Sequence, residues 1–192
     1  MLVLVLGLLL FLGTHCLRVG GDVLRDRLIA RLGTGRFKGL YAMLSGIGLV
    51  LVVWGFGSAR ETPVVLWSPP PGMRHLTFLL MLMSMVLLAA AYVPRNAIRA
   101  RLHHPMVLSV KTWALAHLLS NGTLAHVVLF GAFLIWSVAL FRASRRRDAL
   151  LDMQYAAGET MPTFITVGVG MFAWLVLLGW LHGIWIGVRL IA

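Results

Sequence analysis

The chain has 192 residues, of which 60% are hydrophobic and only 12% are charged. A soluble domain has a charged fraction of about 25%, so this composition indicates an integral membrane protein without a separate soluble domain. The net charge of +11 does not indicate nucleic acid, because the arginines lie in short loops beside apolar segments, where lipid headgroups and topology account for them. We therefore expect this chain to lie in a lipid bilayer and not to bind nucleic acid.

Six apolar segments predict an all-α integral membrane fold, a polytopic bundle of about six transmembrane helices that forms a single domain over residues 1–192. The segments cover residues 2–17, 40–56, 76–93, 106–119, 124–141 and 164–191. The first has no basic n-region and no A-x-A-like cleavage site, which favours a retained helix over a signal peptide. The first, second and fourth are shorter than the roughly 20 residues of a spanning helix, so these helices should extend further or lie deep in the bundle.

Basic residues predict the orientation of these helices. The loops after the first, third and fifth segments hold thirteen arginines and lysines, and only three fall on the opposite side. The positive-inside rule then places these three loops in the cytoplasm and both termini outside.

Loop sequences add three local predictions. Residues 22–32 space leucines along one helical face, which suits a short helix on the inner membrane surface. Residues 60–72 contain three consecutive prolines and cannot be helical throughout. Residues 120–122, Ser-Asn-Gly, predict a tight turn that pairs the fourth and fifth helices as an antiparallel hairpin. In the sixth segment Gly179, Gly183 and Gly187 predict a face on which another helix packs closely.

Histidines are the ionisable groups that stand out in the apolar segments. All six acidic residues fall in predicted loops, which disfavours an intramembrane protease or a carboxylate-based proton pump. His15 and His117 lie well inside the first and fourth segments, where a polar group is costly. Each is either a structural histidine bonded to a carbonyl or serine, or a metal ligand, and composition and spacing alone favour the structural role. If their helices are neighbours, both can reach one iron.

The fourth segment carries further polar residues around His117. Trp113 shares a helical face with His117, and an aromatic ring beside a ligating histidine suits a porphyrin pocket. Lys111 and His104 lie on nearly the same face of this segment. They predict either an anion site, for a lipid phosphate or a heme propionate, or a lysine that extends its ammonium to the inner surface.

Four stretches of the chain resemble the NnrU family of bacterial inner-membrane proteins. They are FLGTHCLR with His15, RLGTGRFKGLY ending at Tyr41, HPMVLSVKTWALAHLLSNG with His117, and LHGIWIGV with His182. The third stretch is the most specific of the four. The resemblance implies a multi-pass protein of the bacterial inner membrane, so the outer side that the charge distribution predicts for both termini is the periplasm.

NnrU proteins are in turn similar to plant zeta-carotene isomerase, a membrane enzyme that holds heme b. The resemblance implies heme b as cofactor, with His15 and His117 as its two metal ligands and Trp113 in the pocket. Arg36, Tyr41, His104 and Lys111 become secondary candidates for propionates or substrate. The isomerase has a cysteine three residues before its second ligand, whereas this chain has Ala114, so the resemblance does not extend to a ligand exchange at that position.

The family's association with nitrite and nitric oxide reduction implies a role near denitrification. One interpretation is redox or isomerase-like chemistry on a small or lipophilic substrate. The alternative is a non-enzymatic accessory protein that supports nitrogen-oxide reductase components, and a third is a lipid-handling or structural protein. The absence of acidic residues from the predicted spans favours the accessory role, because acid–base catalysis would depend on histidine alone.

Overall fold

The computed structural model describes residues 1–190, and within that range helices are joined by short loops. In chain order they are α1 (Leu2–Cys16), α2 (Asp22–Leu32), α3 (Thr34–Glu61), α4 (Met73–Tyr92), α5 (Ala97–Leu102), α6 (Pro105–Ser120), α7 (Leu124–Leu150), α8 (Thr160–Val176) and α9 (His182–Ile186). A π-helical turn, Leu177–Leu181, joins α8 to α9 without a break. The described residues form no strand, and the all-α prediction is confirmed.

Four helices are long and apolar enough to cross a membrane: α3, α4, α7 and the continuous helix α8–α9. As expected, α3 extends past its predicted limits at both ends. The first and fourth predicted spans correspond to α1 and α6, which have 15 and 16 residues. At about 1.5 Å per residue they cover about 22 and 24 Å, which is less than the roughly 30 Å of a hydrocarbon core. By length, the structure supports four of the six predicted spans.

Glycines bring α1 and α3 into direct backbone contact. A Cβ atom at Gly48 would lie 2.7 Å from the Phe11 nitrogen, and one at Gly55 would lie 2.3 Å from the Leu4 nitrogen. On the facing helix, a Cβ at Gly7 would lie 2.6 Å from the Val52 nitrogen. No larger side chain fits these positions without moving a helix, so the register of this antiparallel pair depends on glycine.

The larger helices form a row in which each packs on the next, in the order α3, α1, α7, α6, α4, α8. α3 also touches α7. The main apolar cluster lies where α1, α3, α6 and α7 meet, and its buried members are Leu4, Leu8, Leu12, Val52, Ala114, Leu129 and Phe130. The candidate histidines lie on two of these four helices, α1 and α6.

Three loop predictions are confirmed. The predicted helix over 22–32 is α2, with the same bounds. No helix forms between Thr62 and Gly72. α6 and α7 pack together across the predicted turn, where the Gly122 carbonyl accepts hydrogen bonds from the backbone N–H groups of Leu66 and Trp67 at 2.8 and 3.2 Å. A Cβ at Gly122 would lie 1.8 Å from the Trp67 oxygen, so glycine is required at this turn.

Three predictions are wrong in their limits or contacts. The fifth span was expected to end at residue 141, but α7 continues to Leu150 because its arginine- and alanine-rich end keeps a high helix propensity. The final helix ends at Ile186, and the predicted limit at Ile191 lies outside the described residues. Among residues 1–190 no other helix packs on Gly179, Gly183 or Gly187, and α8 instead approaches α4 through Gly170, where a Cβ would lie 2.5 Å from the Val86 Cα.

A reciprocal serine pair joins α4 to α6. The Ser84 hydroxyl donates to the Ser109 carbonyl at 2.9 Å, and the Ser109 hydroxyl donates to the Ser84 carbonyl at 2.8 Å, both in buried positions. We expect Ser84→Ala and Ser109→Ala to be non-additive, with a coupling of about 1 kcal/mol, because the two hydroxyl oxygens are in contact at 3.1 Å and each bond holds the helices at the separation that the other bond needs. Unfolding of both single variants and the double variant in detergent measures the coupling, and strictly additive losses would contradict the reciprocal pair.

Candidate functional site

His15 and His117 share one hydrogen-bonding arrangement. Each imidazole Nδ1 lies beside the carbonyl oxygen one helical turn earlier, Phe11 at 2.8 Å for His15 and Trp113 at 2.9 Å for His117. A carbonyl only accepts, so Nδ1 carries the proton and the lone pair is on Nε2. Neither Nε2 has a hydrogen-bond partner among the described residues. This fixes the tautomer and orientation that a metal-ligating histidine needs.

Most other histidines are used differently. The His104 Nε2 bonds to Asp148, and the His126 Nδ1 bonds to the Thr123 hydroxyl. The His103 Nδ1 contacts the Arg145 guanidinium. His182 also donates from Nδ1 to a carbonyl, that of Val188, but this bond is exposed and lies outside the apolar cluster. His15 and His117 are therefore the pair that combines a fixed tautomer with partial burial among aromatic rings.

Aromatic rings connect the two histidines in a continuous path. Phe11 lies 4.4 Å from His15 between ring centroids, and Trp113 lies 5.4 Å from His117. Both Phe11 and Trp113 contact Phe133 of α7, at 5.9 and 5.4 Å. These rings form an apolar environment. A planar, apolar group bound there would replace contacts between the rings with its own contacts to them.

The structure does not place the two histidines side by side, because α7 lies between the helices that carry them. Within the described residues α1 and α6 do not touch each other, and each packs on α7. His15 contacts Trp136 edge-on at 5.9 Å, whereas His117 stacks on Phe130 at 4.5 Å. Trp136 follows Phe130 by six residues, about 9 Å along the helix axis. The two histidines can therefore face one shared space only if the aromatic rings that lie between them leave room for it.

Unpartnered polar atoms test whether a heme fits here. The indole N–H of Trp136 is buried and has no hydrogen-bond partner among the described residues. The Ser45 hydroxyl is in the same state, and the α1–α3 register, in which Phe11 faces Gly48, places Ser45 level with His15. Buried polar groups without a partner are rare and indicate a missing ligand. Two free imidazole nitrogens and a set of apolar rings fit the ligands and the surroundings of a heme iron.

The secondary candidates are distributed over three places. Tyr41 lies beside His15, with 5.4 Å between ring centroids. Lys111 places its ammonium 6.0 Å from the centre of the Phe141 ring, near the inner end of α7. His104 has an anionic partner within the chain, since it donates to Asp148 at 2.8 Å. Arg36 is exposed at the start of α3. Only Tyr41 is brought to His15.

A polar cluster closes the N-terminal end of α6 and the C-terminal end of α7. Asp148 accepts hydrogen bonds from the His104 ring and the Tyr155 hydroxyl at 2.8 and 3.0 Å, and His103 stacks on Tyr155 with 3.9 Å between ring centroids. Burial raises the pKa of the Tyr155 phenol, and the hydrogen bond to Asp148 raises this pKa further, so the phenol remains a donor. His103 has a φ of 65°, an uncommon left-handed conformation that turns the chain between α5 and α6.

Removing the Asp148 carboxylate should destabilise this cluster. Because two donors bond to it, we expect Asp148→Ala to lower the free energy of unfolding by about 2 kcal/mol. The matched control is Glu61→Ala, which removes an exposed carboxylate at the end of α3 that forms no hydrogen bond or ion pair among the described residues, and this change should have little effect. Thermal unfolding in detergent compares the two. Equal melting temperatures would show that the cluster contributes no stability.

Sequence reasoning missed the α7 side of the site. Phe130, Phe133 and Trp136 recur every three residues along one face of the fifth predicted span. That spacing was visible in the sequence, but periodic aromatic residues in an apolar helix have the same pattern when they face lipid. Packing against α1 and α6 distinguishes the two cases.

Comparisons with known proteins add one match. A family model described as NnrU protein matches residues 3–190 of the chain. No curated protein and no solved structure matches it.

Proposed function

The chain belongs to the NnrU family, and we propose that it is an integral membrane protein that binds heme b through His15 and His117. The observation that supports this most is the shared state of the two histidines. Each donates Nδ1–H to the carbonyl one turn earlier and leaves Nε2 without a partner, inside an aromatic cluster. A purely structural pair would not need its second nitrogen free.

The chain's own residues would do three things for the bound group. His15 and His117 would hold the iron through Nε2, and the carbonyls of Phe11 and Trp113 would keep the imidazoles oriented. Phe133 and its neighbouring rings would exclude water. Trp136, edge-on to His15, and Ser45, level with His15, would position the bound group beside that ligand. When bound, heme b would supply one-electron redox chemistry.

The proposed chemistry is redox or isomerase-like, on a small or lipophilic substrate, with a role in nitrite or nitric oxide metabolism. Two imidazoles leave no open position on the iron, so a reaction there requires one histidine to release it. The family-related isomerase has a cysteine at the position of Ala114, which is fully buried here and offers no thiolate in exchange. We therefore favour electron transfer over isomerisation for this chain.

We also propose six spans in the bacterial inner membrane, with both termini periplasmic. α1 and α6 would complete the six, because a helix shorter than the hydrocarbon core crosses the membrane by thinning it locally, and both pack beside longer helices. In a Cys16→Ser background, single cysteines at Ser68 and Gln154 should react with an impermeant thiol reagent from opposite sides. Labelling of both from one side would contradict this topology.

A second candidate function is an accessory protein for nitrogen-oxide reductases. The exposed aromatic face of α8 and α9, which includes Phe172, Trp180 and Trp185, supports it, because such a face can take a partner helix as well as lipid. Purification in mild detergent, after expression with ample heme, distinguishes the two candidate functions. About one heme per chain, with reduced b-type bands, supports the first; folded protein without heme that co-purifies with reductase subunits supports the second.

A further inference from the structure

A cavity of about 280 Å³ lies at the inner end of α1, where α1, α2 and α3 meet. Its wall contains three cationic side chains, two apolar ones and a phenol: Arg18, Arg25, Lys38, Leu17, Phe37 and Tyr41. We call it the inner cavity. A half-open space lined by both cationic and apolar side chains suits an amphiphile with oxyanions at one end.

Two of the three cations have no anionic partner. Arg25 pairs with Asp26 at 3.1 Å. Neither Arg18 nor Lys38 forms an ion pair within the described residues. The inner cavity therefore offers two uncompensated positive charges, which match a ligand with two negative ones.

The cavity wall is held in place from α7. Arg147 donates to the backbone carbonyl of Arg18 at 2.6 Å, and pairs with Asp22 of α2 at 3.6 Å. It also donates to the Ser144 hydroxyl within α7 at 3.1 Å. Arg147 thus joins the segment that carries Arg18 to the helix that carries Trp136, and the inner cavity has a fixed position relative to His15.

Tyr41 belongs to both the inner cavity and the His15 environment. Its ring lines the cavity and lies 5.4 Å from the His15 ring. The His15 ring also meets Trp136, edge-on at 5.9 Å, and the indole N–H of Trp136 has no hydrogen-bond partner among the described residues. A group held at the Nε2 of His15 would therefore have one edge directed to a space with two free cations.

We propose that the inner cavity binds the two propionate carboxylates of heme, with Arg18 and Lys38 as their partners. This inference rests on the proposed function, since it takes heme as the group held at His15. It orients the heme with its charged edge toward the arginine-rich side of the protein, so that no carboxylate is buried in the apolar cluster. An inner-leaflet phospholipid phosphate has related chemistry but carries one charge, where the cavity offers two.

Titration of apoprotein with heme and with heme dimethyl ester, followed by Soret absorbance, tests the proposal. Wild-type protein should bind the diacid more tightly than the diester, whose carboxylates are blocked. In Arg18→Gln/Lys38→Gln, diacid binding should weaken roughly tenfold, to the affinity of the diester, with the Soret position unchanged. Arg31→Gln, an exposed cation on α2 outside the cavity, is the matched control and should behave as wild type.

Each outcome of this experiment either supports or contradicts the proposed propionate site. Equal binding of diacid and diester by wild-type protein, with His15→Ala still removing the Soret band, would overturn the propionate site and leave heme ligation intact. Loss of the diacid preference in the double variant, without any effect of His15→Ala, would support carboxylate binding and overturn the ligation. If the double variant only reduces phosphatidylglycerol retained in native mass spectrometry, the cavity is a lipid site and the proposal fails.

Discussion

His15→Ala and His117→Ala should each reduce the heme content of the purified protein at least about tenfold, because even residues that only orient a metal ligand cost 10- to 100-fold in affinity. Each change removes one Nε2 and leaves the carbonyl of Phe11 or Trp113 without its donor. Both helices retain their main packing surfaces, α1 on α3 and α6 on α4, so the variants should fold. Heme per chain, from the pyridine hemochrome, is the measurement.

Two controls make this result specific. His75→Ala removes an exposed histidine at the start of α4 and should leave heme content unchanged. His15→Gly and His117→Gly should regain heme when imidazole is added, since the small molecule replaces the missing ligand. Full heme content in either alanine variant would exclude that histidine as a ligand.

Gly48→Leu should separate α1 from α3 and remove heme without touching a ligand. Its Cβ would lie 2.7 Å from the Phe11 nitrogen and 2.9 Å from the Phe11 Cα, and neither backbone atom can move without the helix. Phe11 carries the carbonyl that orients His15, so the displacement reaches the site directly. We expect a loss of about 3 kcal/mol in unfolding free energy, at the upper end of overpacking costs.

Gly46→Leu is the matched control on the same helix. A Cβ at Gly46 meets nothing within 4 Å, so leucine there faces open space and gains about 1 kcal/mol of helix propensity over glycine. Melting temperature and heme content, measured together, should be normal for Gly46→Leu and low for Gly48→Leu. Equal stability of the two variants would show that α1 and α3 are not packed as described.

Much of the fold can be predicted from local sequence patterns. Hydropathy places every large helix, and the Ser120-Asn121-Gly122 turn predicts the hairpin that the structure contains. The limits fail where a helix continues beyond the apolar region, as α7 does to Leu150, because arginine and alanine support helix as well as leucine does. The glycine prediction fails because spacing alone does not say which helix is opposite: Gly48 meets Phe11, whereas Gly179 meets nothing.

The candidate site was predictable only in part. Placing a histidine in an apolar membrane helix costs free energy, and this cost identified His15 and His117 as candidate site residues. Their shared hydrogen bonds depend on rotamers, and their contacts with Phe130 and Trp136 depend on α7 lying between α1 and α6. Arg18 and Lys38 were counted only as topology signals, because nothing local distinguishes a cation that lines a cavity from one that faces headgroups.

The central claim is that His15 and His117 ligate the same iron, and electron paramagnetic resonance of the oxidised protein tests it most directly. We predict a low-spin ferric signal typical of two imidazole ligands in the wild-type protein. In His15→Ala and in His117→Ala, the heme that remains should be high-spin. A high-spin wild-type signal, or a low-spin signal that survives either change, would contradict ligation of one iron by both histidines.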